Sequence, residues 1–193
     1  QRIIHTIPDR HIELSEIIHL LGKEGLLLFS ALLTIVFIVP VSIPGFSTVF
    51  GAVIFYIAIS QLLNKSLWLP RTMKTKKLHA EKLGISFQKG LKWFRLLEKI
   101  SKPHRFKLLI ANKAARVFNS ISILLGALLL MMPLGFVPFS NTFPAIAILL
   151  ISIGILQKDG VIILLGHVSN LGSILYFTLF FSTISMTIKH IFS

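Results

Sequence analysis

The sequence predicts an all-α integral membrane protein with two repeated helical hairpins, a C-terminal transmembrane helix and amphipathic interfacial helices. Composition is the first reason, because 54% of the 193 residues are hydrophobic and only 14% are charged. The second reason is the distribution of the hydrophobic residues, because five hydrophobic runs approach or exceed the ~20 residues that a helix needs to span hydrocarbon. These runs, which carry almost no charge, cover residues 25–43, 47–63, 118–139, 143–156 and 160–188. The third reason is that the second and fourth runs begin at similar proline-bearing breaks.

Residues 1–24 predict an amphipathic helix that lies on the membrane surface or against the protein. Leu14, Ile17, Ile18 and Leu21 follow the i, i+3, i+4, i+7 spacing of one helix face. Asp9 is a candidate N-cap and Gly22 a candidate stop. The mixed charges of this stretch favour an interfacial position over a crossing.

Residues 25–64 predict the first membrane hairpin. Its two arms are separated by Pro40, Pro44 and Gly45, residues that interrupt a helix. Two outcomes stay open: two short spanning helices, or a re-entrant hairpin that dips into the membrane and returns. Non-helical backbone at membrane depth is tolerated only where protein or water covers it, so a re-entrant tip needs a partner.

Residues 65–116 predict a basic cytoplasmic connector. The segment carries 15 of the 20 Lys and Arg residues, and its only acidic residues are Glu81 and Glu98. Such segments stay on the cytoplasmic side near anionic headgroups, which we favour over nucleic-acid binding. Within residues 85–102 an amphipathic helix places cations on one face, where they are expected to bind headgroups, although a solvated face is the alternative. Those candidate headgroup-binding residues are Lys89, Lys92, Arg95 and Lys99.

Residues 117–158 predict a second hairpin that repeats the first at an offset of 93 residues. Seven of the 26 positions from 40 to 65 are then identical, including Pro40 with Pro133, Ser47 with Ser140 and Phe50 with Phe143. Internal repeats are common in transporter folds, whose sites lie at the repeat interface. With the connector in the cytoplasm, both hairpins enter from the same side, which favours a parallel over an inverted repeat.

Residues 159–193 predict one tilted crossing helix. Gly166, Asn170 and Gly172 are positions where it is expected to break or bend. Asp159 precedes Gly160, which is typical of a turn aspartate at a membrane boundary.

Polar residues at the two breaks are the candidate ligand site. One interpretation is that their hydroxyl and amide groups cap the helices that follow. The other is that two helix N-termini converge in the membrane and bind an anion such as a phosphate or a carboxylate. The residues concerned are Ser47, Thr48, Ser140, Asn141 and Thr142.

His167 is the one histidine well inside an apolar run, which makes it a proton or ion-binding candidate, against the alternative of a packed, hydrogen-bonded histidine. The sequence contains no cysteine, no clustered metal ligands, no paired carboxylates and no glycine-rich phosphate loop. We therefore expect no catalytic residues, no metal, no cofactor and no enzymatic activity.

The stretches "STVFGAVIFYIAISQLLNKSLWLPR" and "PFSNTFPAIAILLISIGILQKDGVIILLG" resemble the ExoD exopolysaccharide-synthesis family. The resemblance extends from about Ser15 to Thr187, and Asp159-Gly160 is part of it. One departure is Ile43-Pro44-Gly45, where the family commonly has a Gly-Pro-Gly-like turn. The resemblance implies a multi-pass protein of the bacterial inner (plasma) membrane that is linked to exopolysaccharide production, and it implies no particular reaction.

Three functions stay open at this stage. The first is transport or carriage of an anionic lipid or a lipid-linked intermediate. The second is a non-transporting scaffold for polysaccharide machinery, and the third is ion or proton exchange through His167. Membrane lipids are the expected partners. A homodimer is also expected, because so few helices leave the two breaks poorly covered.

Overall fold

The computed structural model describes residues 12–38, 45–64, 77–78, 105–132 and 137–192 of the chain. Five α-helices account for most of these residues, so the predicted all-α class is confirmed. They are α1 (Leu14–Ile35), α2 (Phe46–Leu62), α3 (Lys113–Met131), α4 (Thr142–Gln157) and α5 (Gly160–Phe192). A short 3₁₀ turn, Lys107–Leu109, precedes α3. The two-residue strands β1 (Ile12–Glu13) and β2 (Lys77–Leu78) pair in antiparallel fashion.

The helix α1 joins what the sequence divided into an interfacial helix and a membrane arm. Gly22 has φ 56° and ψ −161°, a conformation that glycine adopts readily, and it kinks the helix at this point. The predicted stop at Gly22 therefore agrees with a break in helical geometry at this residue, and the helical stretch Glu24–Ile35 follows it. The expected cap at Asp9 lies outside the described residues.

The first four helices form a ring in which the two hairpins pack across each other. The helix α1 packs mainly against α4, and α2 packs mainly against α3. As a result α2 and α4 lie on diagonally opposite sides of the ring. The core between the helices is filled by branched aliphatic side chains with almost no exposure, namely Ile54, Ile123, Leu130, Ile148 and Ile151. The fifth helix packs most extensively against α4.

Both hairpin turns lie at the same end of the ring, which we name the tip end. The Thr48 hydroxyl, at the start of α2, donates to the carbonyl of Met131 at the end of α3, with 3.3 Å between the oxygens. The Tyr176 hydroxyl of α5 donates to the carbonyl of Pro138, with 2.6 Å between the oxygens. The opposite end is the charged end, which carries Arg105, Lys107, Lys113, Arg116 and Lys158.

The helix α5 is continuous over its 33 residues, so the break that the sequence predicts at Gly166, Asn170 or Gly172 does not occur. Gly166 instead allows close packing, because a Cβ there would lie 3.1 Å from the carbonyl oxygen of Ala147. The Asn170 side chain donates from Nδ2 to the carbonyl of Ser122 at 2.8 Å, which ties α5 to α3. Beyond the ring, residues 181–190 are all exposed.

Two of the helices are long and apolar enough to cross a membrane, Lys113–Met131 and Gly160–His190. Three shorter apolar helices lie beside them, Glu24–Ile35, Phe46–Leu62 and Thr142–Gln157. The coarse prediction of a membrane protein agrees with these two helices.

Candidate functional site

The structure buries most of the polar residues that the sequence singled out at the two breaks. Ser47 lies in the first turn of α2 with only 3% of its surface exposed. Ser140, Asn141 and Thr142 are also buried, at the start of α4. Thr48 is exposed, and its hydroxyl is used in the contact with α3. The tip end therefore holds several polar groups in a largely apolar surrounding.

Of these five residues, the structure places Asn141 at a helix N-cap. The N-cap of α2 is Gly45, with φ 86°, and the N-cap of α4 is Asn141. Neither residue makes a side-chain capping hydrogen bond. The Ser140 hydroxyl donates instead to the carbonyl of Val137 at 2.8 Å. The amides that open α4 are satisfied by the backbone, since those of Thr142 and Phe143 donate to the carbonyl of Phe139 at 3.1 and 3.4 Å.

The starts of α2 and α4 share the tip end but belong to diagonally opposite helices. Each helix start carries a partial positive charge from its aligned peptide dipoles. The structure brings Ser140, Asn141 and Thr142 together because they are consecutive, and it places Ser47 at the same end on another helix. The two starts lie on helices that do not pack extensively on each other, so the convergence of both starts on one anion stays a prediction.

His167 takes part in a short polar chain near the charged end. Its Nε2 lies 3.0 Å from Asn119 Oδ1, and Asn119 Nδ2 donates to the carbonyl of Leu109 at 2.9 Å. Because Oδ1 only accepts, this geometry requires Nε2 to carry the hydrogen. The imidazole also contacts the Phe118 ring, with 4.7 Å between centroids. These contacts fit the alternative of a packed, hydrogen-bonded histidine.

The charged end contains an ion pair that the sequence reasoning missed. Asp159 has 0% exposure, and its Oδ2 accepts from Arg105 Nη2 at 2.6 Å. Its Oδ1 accepts from the amide of Val161 at 3.0 Å, so this carboxylate also caps α5. Asp159 lies in the turn between α4 and α5, as the sequence predicts, and the structure shows in addition that its carboxylate is buried and paired. The sequence feature that could have indicated this ion pair is that Asp159 is the single acidic residue after Glu98.

Two further sequence predictions concern the headgroup-binding residues and the expected lack of a metal site. The candidate headgroup-binding residues Lys89, Lys92, Arg95 and Lys99 lie outside the described residues. Among the residues that are described, no group of three or more His, Cys, Asp or Glu side chains is placed to hold a metal ion.

Comparison with known proteins now identifies the family. The family model described as "Exopolysaccharide synthesis, ExoD" matches residues 1–179. The chain belongs to the ExoD family.

Two relatives show how far this similarity extends. Protein ExoD of Rhizobium meliloti is 41% identical over 175 residues, which cover 91% of this chain and 72% of the relative. An uncharacterized protein of Synechocystis is 33% identical over 124 residues, which cover 64% of this chain and 57% of that protein. No solved structure matches the chain.

Two stretches on which the ExoD resemblance rests coincide with contacts between elements. In the stretch 47–51, a Cβ on Gly51 would lie 3.1 Å from the carbonyl oxygen of Ala127, so glycine allows α2 to approach α3 closely. In Asp159-Gly160, the carboxylate binds Arg105 and the amide of Gly160 donates to the carbonyl of Arg105 at 2.9 Å. The two apolar helices and the ExoD family together support membrane association.

Proposed function

We propose that this ExoD-family protein carries an anionic lipid or a lipid-linked intermediate across or within the membrane during exopolysaccharide synthesis, without catalysing a reaction. The observation that carries the proposal is the tip end, where two helices begin beside buried polar side chains. Ser47 belongs to one helix start, and Ser140, Asn141 and Thr142 belong to the other. Polar groups at membrane depth are expensive, and they usually mark a pathway or a ligand.

The chemistry of the tip end suits an anion. The N-terminal amides of a helix point along its axis and attract phosphate or carboxylate groups. At the start of α4 the amides of Thr142 and Phe143 already donate to the Phe139 carbonyl, so the buried polar side chains and the helix dipole are the proposed attraction for an anion. None of the described side chains at the tip end is acidic. A lipid phosphate, or the phosphate that links a sugar to its lipid carrier, has the required charge.

The lengths of two helices support the proposal of re-entrant hairpins. The 17-residue α2 and the 16-residue α4 are about 24–26 Å long, which is shorter than the ~30 Å hydrocarbon core. Large apolar side chains are exposed at the tip end, namely Phe46, Val49 and Phe139. The helix α5 continues from Tyr176, which contacts the second tip, to Lys189, about 20 Å further along its axis. We propose that both hairpins end inside the hydrocarbon and that α5 crosses it.

The proposal includes a parallel internal repeat. Left-handed residues bracket α2 at Gly45 and Asn64, and they bracket α4 at Phe139 and Lys158, with a spacing of 19 residues in both cases. The packing of α1 on α4 and of α2 on α3 is the pattern expected when two hairpins are related by a twofold axis along the ring. In this arrangement each tip belongs to one repeat and both tips face the same side.

We also propose a homodimer. Residues 181–190 of α5 are exposed all round the helix, and a second copy would cover part of this surface. The oligomeric state of the purified protein in detergent, measured by light scattering, tests this part separately.

The carrier proposal is tested by flux in liposomes that contain a polyprenyl-phosphate-linked sugar. We expect the wild-type protein to move this lipid between leaflets, and we expect the Ser47→Ala and Asn141→Ala variants to lose most of the flux. Ser185→Ala is the matched control, because Ser185 is exposed on α5 away from the tips. Absence of flux in the wild type, or undiminished flux in both tip variants, contradicts the proposal.

A scaffold is the second candidate, favoured by the way the end of the connector is fixed to the bundle. Arg105 contacts both Asp159 and the amide of Gly160. A scaffold predicts that neutralising Lys89, Lys92, Arg95 and Lys99 together abolishes polysaccharide production. The tip variants would then retain it.

A further inference from the structure

Residues 105–110, which we name the junction segment, are fixed on the charged end by three contacts. The Arg105 side chain binds Asp159, and the Arg105 carbonyl accepts from the amide of Gly160 at 2.9 Å. The Leu109 carbonyl accepts from Asn119 Nδ2, also at 2.9 Å. These contacts come from α3, from α5 and from the turn between α4 and α5. They set the direction in which the remaining side chains of the segment point.

The junction segment exposes large apolar side chains on either side of a cation. Phe106 is 51% exposed and Leu108 is 69% exposed, while Lys107 between them is exposed as well. Apolar side chains interleaved with lysine suit the boundary between headgroups and acyl chains, where each type finds its preferred surroundings.

The charge around the segment is strongly positive. Lys113, Arg116 and Lys158 are exposed at the same end. Asp159, the acidic residue that contacts the junction segment, is buried and paired with Arg105. Arg105 is 41% exposed and uses Nη2 for Asp159, so its guanidinium retains further donors. Such a surface complements anionic headgroups, which attract clustered lysine and arginine near a membrane.

We propose that the junction segment is a binding site for anionic phospholipid headgroups. Phe106 and Leu108 insert below the headgroups, and Lys107, Lys113 and Arg116 bind their phosphates. The site lies at the opposite end of the ring from the tips, so it does not depend on the carrier proposal.

Tryptophan fluorescence in vesicles tests the site in the full-length protein. The native Trp68 and Trp93 are replaced by phenylalanine, and a single tryptophan is introduced as Phe106→Trp. Quenching by brominated phosphatidylglycerol is then compared with quenching by brominated phosphatidylcholine, at equal bromine content in otherwise identical mixed vesicles. We expect the anionic lipid to quench more strongly. Replacing both Lys107 and Lys113 by glutamine should reduce this preference, since each cation near an anionic surface changes affinity about fivefold.

Phe139→Trp is the matched control. Phe139 is 50% exposed and has φ 63°, against 51% and φ 51° for Phe106, but it lies at the tip end. We expect lipid quenching of this variant with no preference for the anionic lipid. High salt should also reduce the preference at Phe106, because exposed charges are screened. Equal quenching of Phe106→Trp by the two lipids, or no quenching at all, overturns the proposal.

Discussion

At the scale of the residue, Asp159 and Arg105 show how one ion pair has two unequal members. The carboxylate of Asp159 is fully buried, whereas the Arg105 side chain is 41% exposed. An ionised group that is buried without a partner is far more costly than one that can turn toward water. The cost of breaking the pair should therefore depend on which member is removed.

We expect Arg105→Gln to lower the free energy of unfolding by about 3 kcal/mol, because it leaves the Asp159 charge buried without its cation. Asp159→Asn should cost only about 1 kcal/mol, because the amide oxygen still caps α5 and Arg105 can reach solvent. Unfolding of the purified protein by SDS in mixed micelles measures both values. Equal costs, or a larger cost for Asp159→Asn, would contradict this account of the pair.

Sequence reasoning at this scale found polar residues but not their partners. Ser47 and Ser140 are buried, and neither occupies an N-cap position. Whether a serine caps a helix depends on the residue at which the helix begins, and that boundary is set by packing. The pairing of Asp159 with Arg105 joins residues that are 54 positions apart, and no local pattern encodes it.

At the scale of the element, the turn between α4 and α5 depends on close backbone contact. A Cβ on Gly160 would overlap the carbonyl oxygen of Phe106 and would lie 2.9 Å from that of Arg105. Backbone atoms cannot move aside as flexible side chains do. Gly160 therefore holds the junction segment, α4 and α5 together, which explains why this turn tolerates no side chain.

We expect Gly160→Ala to destabilise the protein by at least about 2 kcal/mol, since overpacking of this kind costs about 1–3 kcal/mol and here displaces backbone. Gly172→Ala is the matched control, because Gly172 lies in the same helix and a Cβ there has no neighbour within 4 Å. That variant should be unchanged or up to about 1 kcal/mol more stable, as alanine favours a helix. SDS-induced unfolding of the two variants distinguishes them, and a neutral Gly160→Ala would contradict the proposed contact.

One predicted element, the C-terminal helix, differs from the structure. The continuous α5 differs from the expected break because Gly166 and Asn170 are used in packing against α4 and α3. Isolated glycine and asparagine signal a break only where no neighbouring helix occupies the space they provide.

At the scale of the whole molecule, the charged end and the tip end define an axis that should lie along the membrane normal. Cations gather at one end, and the described side chains at the tip end carry no charge. Charged groups prefer the aqueous boundary, so we expect the charged end to lie at one membrane surface and the far end of α5, at Lys189, to lie at the other.

Cysteine labelling tests the depth of the tips, and the chain contains no native cysteine to interfere. A membrane-impermeant thiol reagent should label Lys158→Cys from the cytoplasmic side and Lys189→Cys from the opposite side. Phe46→Cys and Phe139→Cys, at the two tips, should react only after the membrane is dissolved. If both tip cysteines react from outside as fast as Lys189→Cys, the hairpins span the membrane and the re-entrant proposal fails.

The sequence by itself determined the class of the protein, because long uncharged runs and a concentrated basic segment are properties of composition and order alone. The specific stretches around Ser47, Asn141 and Asp159 also sufficed to indicate the ExoD family. Only the tertiary structure decided that α1 packs on α4 and that Arg105 neutralises a buried carboxylate. These features arise from contacts between residues that are far apart in the chain. The energies of such contacts depend on burial and distance, and a local stretch of sequence determines neither of them.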